Sequence, residues 1–107
     1  MIIASGEHIH GKKIIKTIGL VRGNTVRARH IGRDIGAAFR TMIGGEVVEY
    51  TKLIAESREQ ALDRMTIEAK SFGANAIIMV RFSTSSIMAG AAELLAYGTA
   101  VVVEDID

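Results

Sequence analysis

The spacing of apolar and polar positions changes several times along the chain. Ile14 to Val21 (IIKTIGLV) is dense in β-branched residues, and Thr25 to Arg29 (TVRAR) alternates. Between them stands Gly23–Asn24, a pair suited to the positive φ angles of a tight turn, so this stretch predicts a β-hairpin. From Ile31 the period lengthens. Ile35, Ala38, Phe39, Met42 and Ile43 recur at helical spacing, while Gly32, Gly36 and Ala37 keep that helix thin. Gly44–Gly45 interrupts it. The period resumes from Glu46 to Phe72 through Val47, Tyr50, Ile54, Ala61, Met65, Ala69 and Phe72, with charged residues on the remaining surface. Gly73 then stands where a left-handed residue would end a long helix.

Two further strands are predicted, over Ala74–Ser85 (ANAIIMVRFSTS) and Leu94–Val103 (LLAYGTAVVV), joined by a small-residue turn at Ser85–Ala91. The run Ile87–Val103 carries one charge, Glu93. A spanning helix needs about 20 apolar residues, and this run is shorter, charged and closed by a Val triplet, so strands account for it better than a membrane segment. Ile77–Val80 and Val101–Val103 do not alternate with polar residues, which implies burial on both faces. One long helix covers only one face of a small sheet. The other face is therefore expected to meet another subunit. The fold class is α+β: an antiparallel sheet packed by the long helix, with a shorter helix before it.

Composition sharpens this picture. A chain of 107 residues is one domain's worth. Apolar residues and glycines together number 61 of 107, about 57%, above the roughly 45–50% usual for a soluble domain on that count, although only 5% are aromatic. Surplus apolar surface on a small domain points to burial between subunits. The absence of Cys removes disulfides, thiolate metal sites and thiol nucleophiles. The net charge of +1 makes no global demand for nucleic acid or an acidic membrane. "MIIASGEHIHGKK" has no cationic segment ahead of an apolar one, so no signal peptide is expected and the cytoplasm is the default location.

Three segments, "IGRDIGAAFRTMIGGEVVEYTKLI", "AKSFGANAIIMVRF" and "TSSIMAGAAELLAYGTAV", resemble the signature of the YbjQ-like family, small bacterial and archaeal proteins labelled heavy-metal-binding. The likeness covers essentially the whole chain. It implies an α+β fold with an antiparallel sheet and a homopentameric ring, without an established biochemical activity.

Three constellations bear on chemistry. A metal site would have to use His8, His10, His30, methionines or carboxylates. In "EHIH", His8 and His10 would share a face if the segment were a strand, and with Glu7 could hold zinc, nickel or copper. A closed site needs four ligands, so the pair would suffice only where several subunits converge. Otherwise both are solvated turn residues beside Gly6 and Gly11. Arg22, Arg27, Arg29, His30 and Arg33 form a basic stretch that could dock an anion or simply solvate a strand edge. No aromatic residue interleaves these arginines, which argues against single-stranded nucleic acid. Finally, Arg81, Ser83–Ser86 and Glu93 cluster about the last hairpin, with Tyr97 further along. A turn near Ile87 would set Arg81 opposite Glu93 as a buried ion pair. Functionally, Arg81, Ser85, Ser86 and Glu93 could take a small polar ligand at a subunit interface. No nucleophile elbow, phosphate loop or His-Glu-x-x-His is present, so catalysis is not expected.

Overall fold

The computed structural model describes residues 1–28 and 47–106. Strands β1 (Ile2–Ile3), β2 (Lys12–Ala28), β3 (Ala76–Met88) and β4 (Ala91–Asp105) form one sheet in the order β1-β3-β4-β2, and helix α1 spans Val47–Ser71. The sheet is mixed rather than antiparallel, because β1 runs parallel to β3, pairing Ile2 with Ala76 and Ile3 with Ile77. The predicted shorter helix, with Ile35 to Ile43, lies outside the described residues.

The predicted hairpin at Gly23–Asn24 does not form. β2 runs through both residues as a single strand of 17 residues paired with β4, so Gly23 faces Ala96 and Asn24 faces Leu95. The glycine serves a different need. A Cβ at Gly23 would lie under 3.0 Å from the backbone of Ala61 and Met65, so its missing side chain lets α1 rest directly on the strand. Ser57, Ala61, Met65 and Ala69 recur every four residues and form the buried stripe of α1. They meet the face of β2 that carries Val21, Gly23 and Thr25; the Thr25 hydroxyl donates to the Ser57 carbonyl at 3.3 Å. Phe72, read as part of the stripe, is 58% exposed, because the helix ends at Ser71 and Phe72 lies in the turn that follows.

Helix termination follows the sequence. Gly73 takes φ +85°, the Ala74 N–H reaches the Ala69 carbonyl and the Gly73 N–H reaches that of Lys70, the two bonds of a Schellman cap. Asn75 then acts as an extra rung. Its side chain donates to the Val103 carbonyl and accepts the Val103 N–H, both at 2.8 Å.

The unalternating run of β3 is explained by a bulge. Ile78 faces Thr99 and Arg81 faces Tyr97, so two residues of β3, Met79 and Val80, oppose one of β4, and Met79 adopts φ +55°. The extra residue puts Ile77 and Val80 under the helix with Leu94, Ala96 and Ala100, while Ala76 and Ile78 turn to the opposite face with Val101 and Val103. That second cluster is covered by Ile9, from the segment preceding β2. Both faces are thus buried at this end, as expected, but the second cover comes from the same chain. Charge pairs Lys12–Asp105 and Lys13–Glu104 clamp the outer ends of β2 and β4.

Candidate functional site

Among the described residues only Ile9 packs on the helix-free face of the sheet, and cross-strand register dictates its surface. Reading across β2, β4 and β3, successive rows are Leu20–Thr99–Ile78, Arg22–Tyr97–Arg81, Asn24–Leu95–Ser83 and Val26–Glu93–Ser85. The bulge at Met79 sets this pattern, since it restores Arg81 to the helix-free side. Leu20 is 67% exposed and Val26 57%, while Tyr97, Leu95 and Glu93 are half-buried.

This geometry corrects the predicted ion pair. The chain turns at Ala89–Gly90, with Gly90 at φ +80°, rather than near Ile87. Glu93 therefore faces Ser85 and Val26, and Arg81 faces Tyr97. Four residues of strand separate the two charges, about 13 Å. Glu93 instead accepts a hydrogen bond from the Asn24 amide at 3.1 Å, and Arg81 Nη1 donates to the carbonyls of Ser5 at 2.6 Å and Val80 at 2.9 Å. Nor is Glu93 enclosed. Of the four residues expected to share a ligand, Ser85 and Glu93 are neighbours and Arg81 lies on the same face, whereas Ser86 pairs with Ala92 and points to the helix side.

His8 and His10 are not on a strand. The Lys12 N–H closes a turn onto the Ile9 carbonyl, with His10 and Gly11 (φ +79°) at its corner, and both histidines are exposed. His8 Nε2 lies 3.6 Å from Glu7 Oε1, both side chains largely in solvent. Among the described residues no three His, Asp or Glu side chains converge as metal ligands. One chain's described residues therefore do not assemble a heavy-metal site, and with no cysteine they offer none of its preferred thiolate donors. In the basic stretch, Arg27 Nε donates to Ser57 Oγ at 3.1 Å and so serves packing, while Arg29, His30 and Arg33 lie outside the described residues. No helix among the described residues is long and apolar enough to cross a membrane.

The Arg22–Tyr97–Arg81 row is not legible in the sequence, because reading Gly23–Asn24 as a turn ends the strand beside Arg22 and hides its pairing with Tyr97. The same turn reading conceals Asn24, whose side chain reaches Glu93.

A sequence model of the family YbjQ, described as "Putative heavy-metal-binding", matches residues 1–104. The chain belongs to the YbjQ family. A UPF0145 protein of Dehalococcoides mccartyi is 58% identical over 104 residues, covering 97% of this chain and all of its own. UPF0145 proteins of Clostridioides difficile (53%; 98% of this chain, 94% of theirs) and Methanosarcina acetivorans (54%; 94% and 95%) show the same full-length likeness. A crystal structure of a DUF74-family protein of unknown function from Pediococcus pentosaceus superposes with a TM-score of 0.68 at 13% identity, over 97% of this chain and 98% of its own. That likeness shows the fold. The architecture is thus α+β, a mixed four-stranded sheet with one helix among the described residues.

Proposed function

We propose that this YbjQ chain works as a non-enzymatic, cytoplasmic homo-oligomeric module, a pentameric ring in which the open half of the sheet meets the next subunit. The observation that carries the proposal is the large apolar residues left in solvent on the sheet and its hairpin: Leu20 at 67%, Val26 at 57%, Ile87 at 52% and Met88 at 53% exposed. The radius of gyration, 17.5 Å, points the same way, because a compact domain of this length would have one of about 13 Å. A shape that elongated leaves too little of its apolar surface inside. The fivefold count comes from the family resemblance alone. Light scattering coupled to size exclusion tests it: a mass near five times 11.5 kDa is expected. A stable monomer at micromolar concentration would sink the proposal, and a tetramer or hexamer would sink only the symmetry.

The second reading is a metal- or small-ligand-binding protein with sites at subunit interfaces. The exposure of His10 at one turn and of His8 just before it favours this reading, since imidazoles from neighbouring subunits are free to converge there on a divalent transition metal such as zinc, nickel or copper. Elemental analysis of untagged protein should then find stoichiometric metal, and replacing both histidines with Ala should remove it while leaving mass and helicity intact.

A further inference from the structure

We propose that the Arg22–Tyr97–Arg81 row binds a small oxyanion, the phosphate or carboxylate group of a small-molecule ligand. The inference is drawn from one protomer's register, and since the row lies in the open half of the sheet that the assembly proposed above brings to the next subunit, the site would sit at that contact. β4 holds Tyr97 directly between Arg22 on β2 and Arg81 on β3, so three side chains on three adjacent strands rise from the same face. Strands lie about 4.8 Å apart, which puts the two arginine backbones about 10 Å from each other, within the converging reach of two guanidiniums. Both arginine residues are exposed, and Tyr97 is half-buried.

Among the described residues the row has no counter-charge of its own. The ion pairs among the described residues are His8–Glu7, Lys12–Asp105 and Lys13–Glu104, and neither arginine takes part. Glu93, the carboxylate on the open half of the same face, is four residues along β4 and held by Asn24. Glu68 approaches from the helix, but its carboxylate accepts the backbone N–H of Arg22 at 3.4 Å, not the guanidinium. The flanking rows, Leu20–Thr99–Ile78 and Asn24–Leu95–Ser83, are uncharged.

Arg81 is also held in place. The N-terminal segment runs beside β3, with the Met79 N–H on the Gly6 carbonyl and the Val80 N–H on that of Ala4. This brings the Ser5 carbonyl to Arg81, whose Nη1 spends its donors there and on Val80. No described residue bonds the Nε–Nη2 edge, and that edge is a ready fork for two oxygens of one anion. Arg22 supplies a second cation across the phenol ring, and the Tyr97 hydroxyl a neutral donor. Two guanidiniums on one face, one anchored at Nη1 by the N-terminal segment and neither paired with a carboxylate among the described residues, form an arrangement that a phosphate or carboxylate group complements in charge.

Calorimetric titration with inorganic phosphate and, separately, acetate at constant chloride tests the proposal. Saturable binding of one anion per chain is expected, weakened at least about tenfold by Arg81→Gln or Arg22→Gln. Arg58→Gln, which removes an exposed helix charge elsewhere, should leave it unchanged. Phosphate binding alone would identify a phosphate ligand, acetate binding alone a carboxylate. A second measurement needs no change to the row. The chain has two tyrosines and no tryptophan, so Tyr50→Phe leaves Tyr97 as the sole emitter, whose fluorescence should titrate with the same anion. Absence of saturable binding by either anion would overturn the proposal, as would binding unchanged in both arginine variants. So would arginine variants that lose mass in light scattering while the unmodified protein binds neither anion, since the row would then face a neighbouring subunit's carboxylate.

Discussion

At Gly23 a turn signal and a packing requirement look identical in sequence. A Gly–Asn pair between β-branched runs fits a hairpin, yet here the glycine is buried beneath α1, with no space for a methyl group. The two roles predict opposite outcomes for Gly23→Ala. Because the obstruction is helix backbone, which cannot rotate away, the cost should be about 3 kcal/mol or more, at the upper end for overpacking. Urea midpoints at fixed protein concentration would check this, and a neutral substitution would mean the helix does not rest there. Glu93 gives the complementary case. Half-buried and bonded to Asn24, it should cost only about 1 kcal/mol when replaced by Ala, the worth of an ordinary hydrogen bond. In a double-mutant cycle with Arg81→Ala the coupling should stay within about 0.5 kcal/mol, as for separated sites. A larger coupling would restore the cross-strand ion pair that the register rejects.

Among the elements, α1 and the β3–β4 hairpin were legible because each rests on a local signal. Ala61, Met65 and Ala69 announce the helix by their spacing, and Gly73 announces its end by a conformation few other residues adopt. The errors share a different origin, in that they depend on partners distant in sequence. β2 could be seen as one strand only by knowing that β4 pairs along its whole length. The Arg81–Glu93 misalignment followed from placing the turn about two residues early, which moves partners by four. The bulge at Met79 has no signature in composition, yet it decides which face receives Arg81, so most of the open face was illegible without it. Met79 holds φ +55°, where a β-branched side chain is least tolerated. Met79→Val should therefore destabilise by about 1–3 kcal/mol, whereas Met79→Gly should be neutral or stabilising by up to about 1 kcal/mol. Thermal melts of the two variants distinguish the bulge from an ordinary strand position, where Val would be the better residue.

For the whole molecule the question is where its unspent apolar surface goes. The helix covers one face, Ile9 covers the far end of the other, and Leu20 and Val26 remain on opposite sides of the arginine row with most of their surface in water. Neither contributes to the core of the single chain, so charging them should not unfold it. If they form the subunit contact, however, burying two introduced carboxylates there would be strongly unfavourable. Leu20→Glu combined with Val26→Glu is thus expected to convert the assembly to a much smaller species while far-ultraviolet circular dichroism keeps the signal of α1. Protein concentration must be held constant, because linked folding and association shift with it. Loss of helicity together with loss of mass would show that subunit and fold are stabilised as one unit, with the contact still in this face. An unchanged mass would place the interface elsewhere, on the exposed hairpin of Ile87 and Met88 or on the outer edge of β2, and would remove the open half of the sheet from the contact altogether.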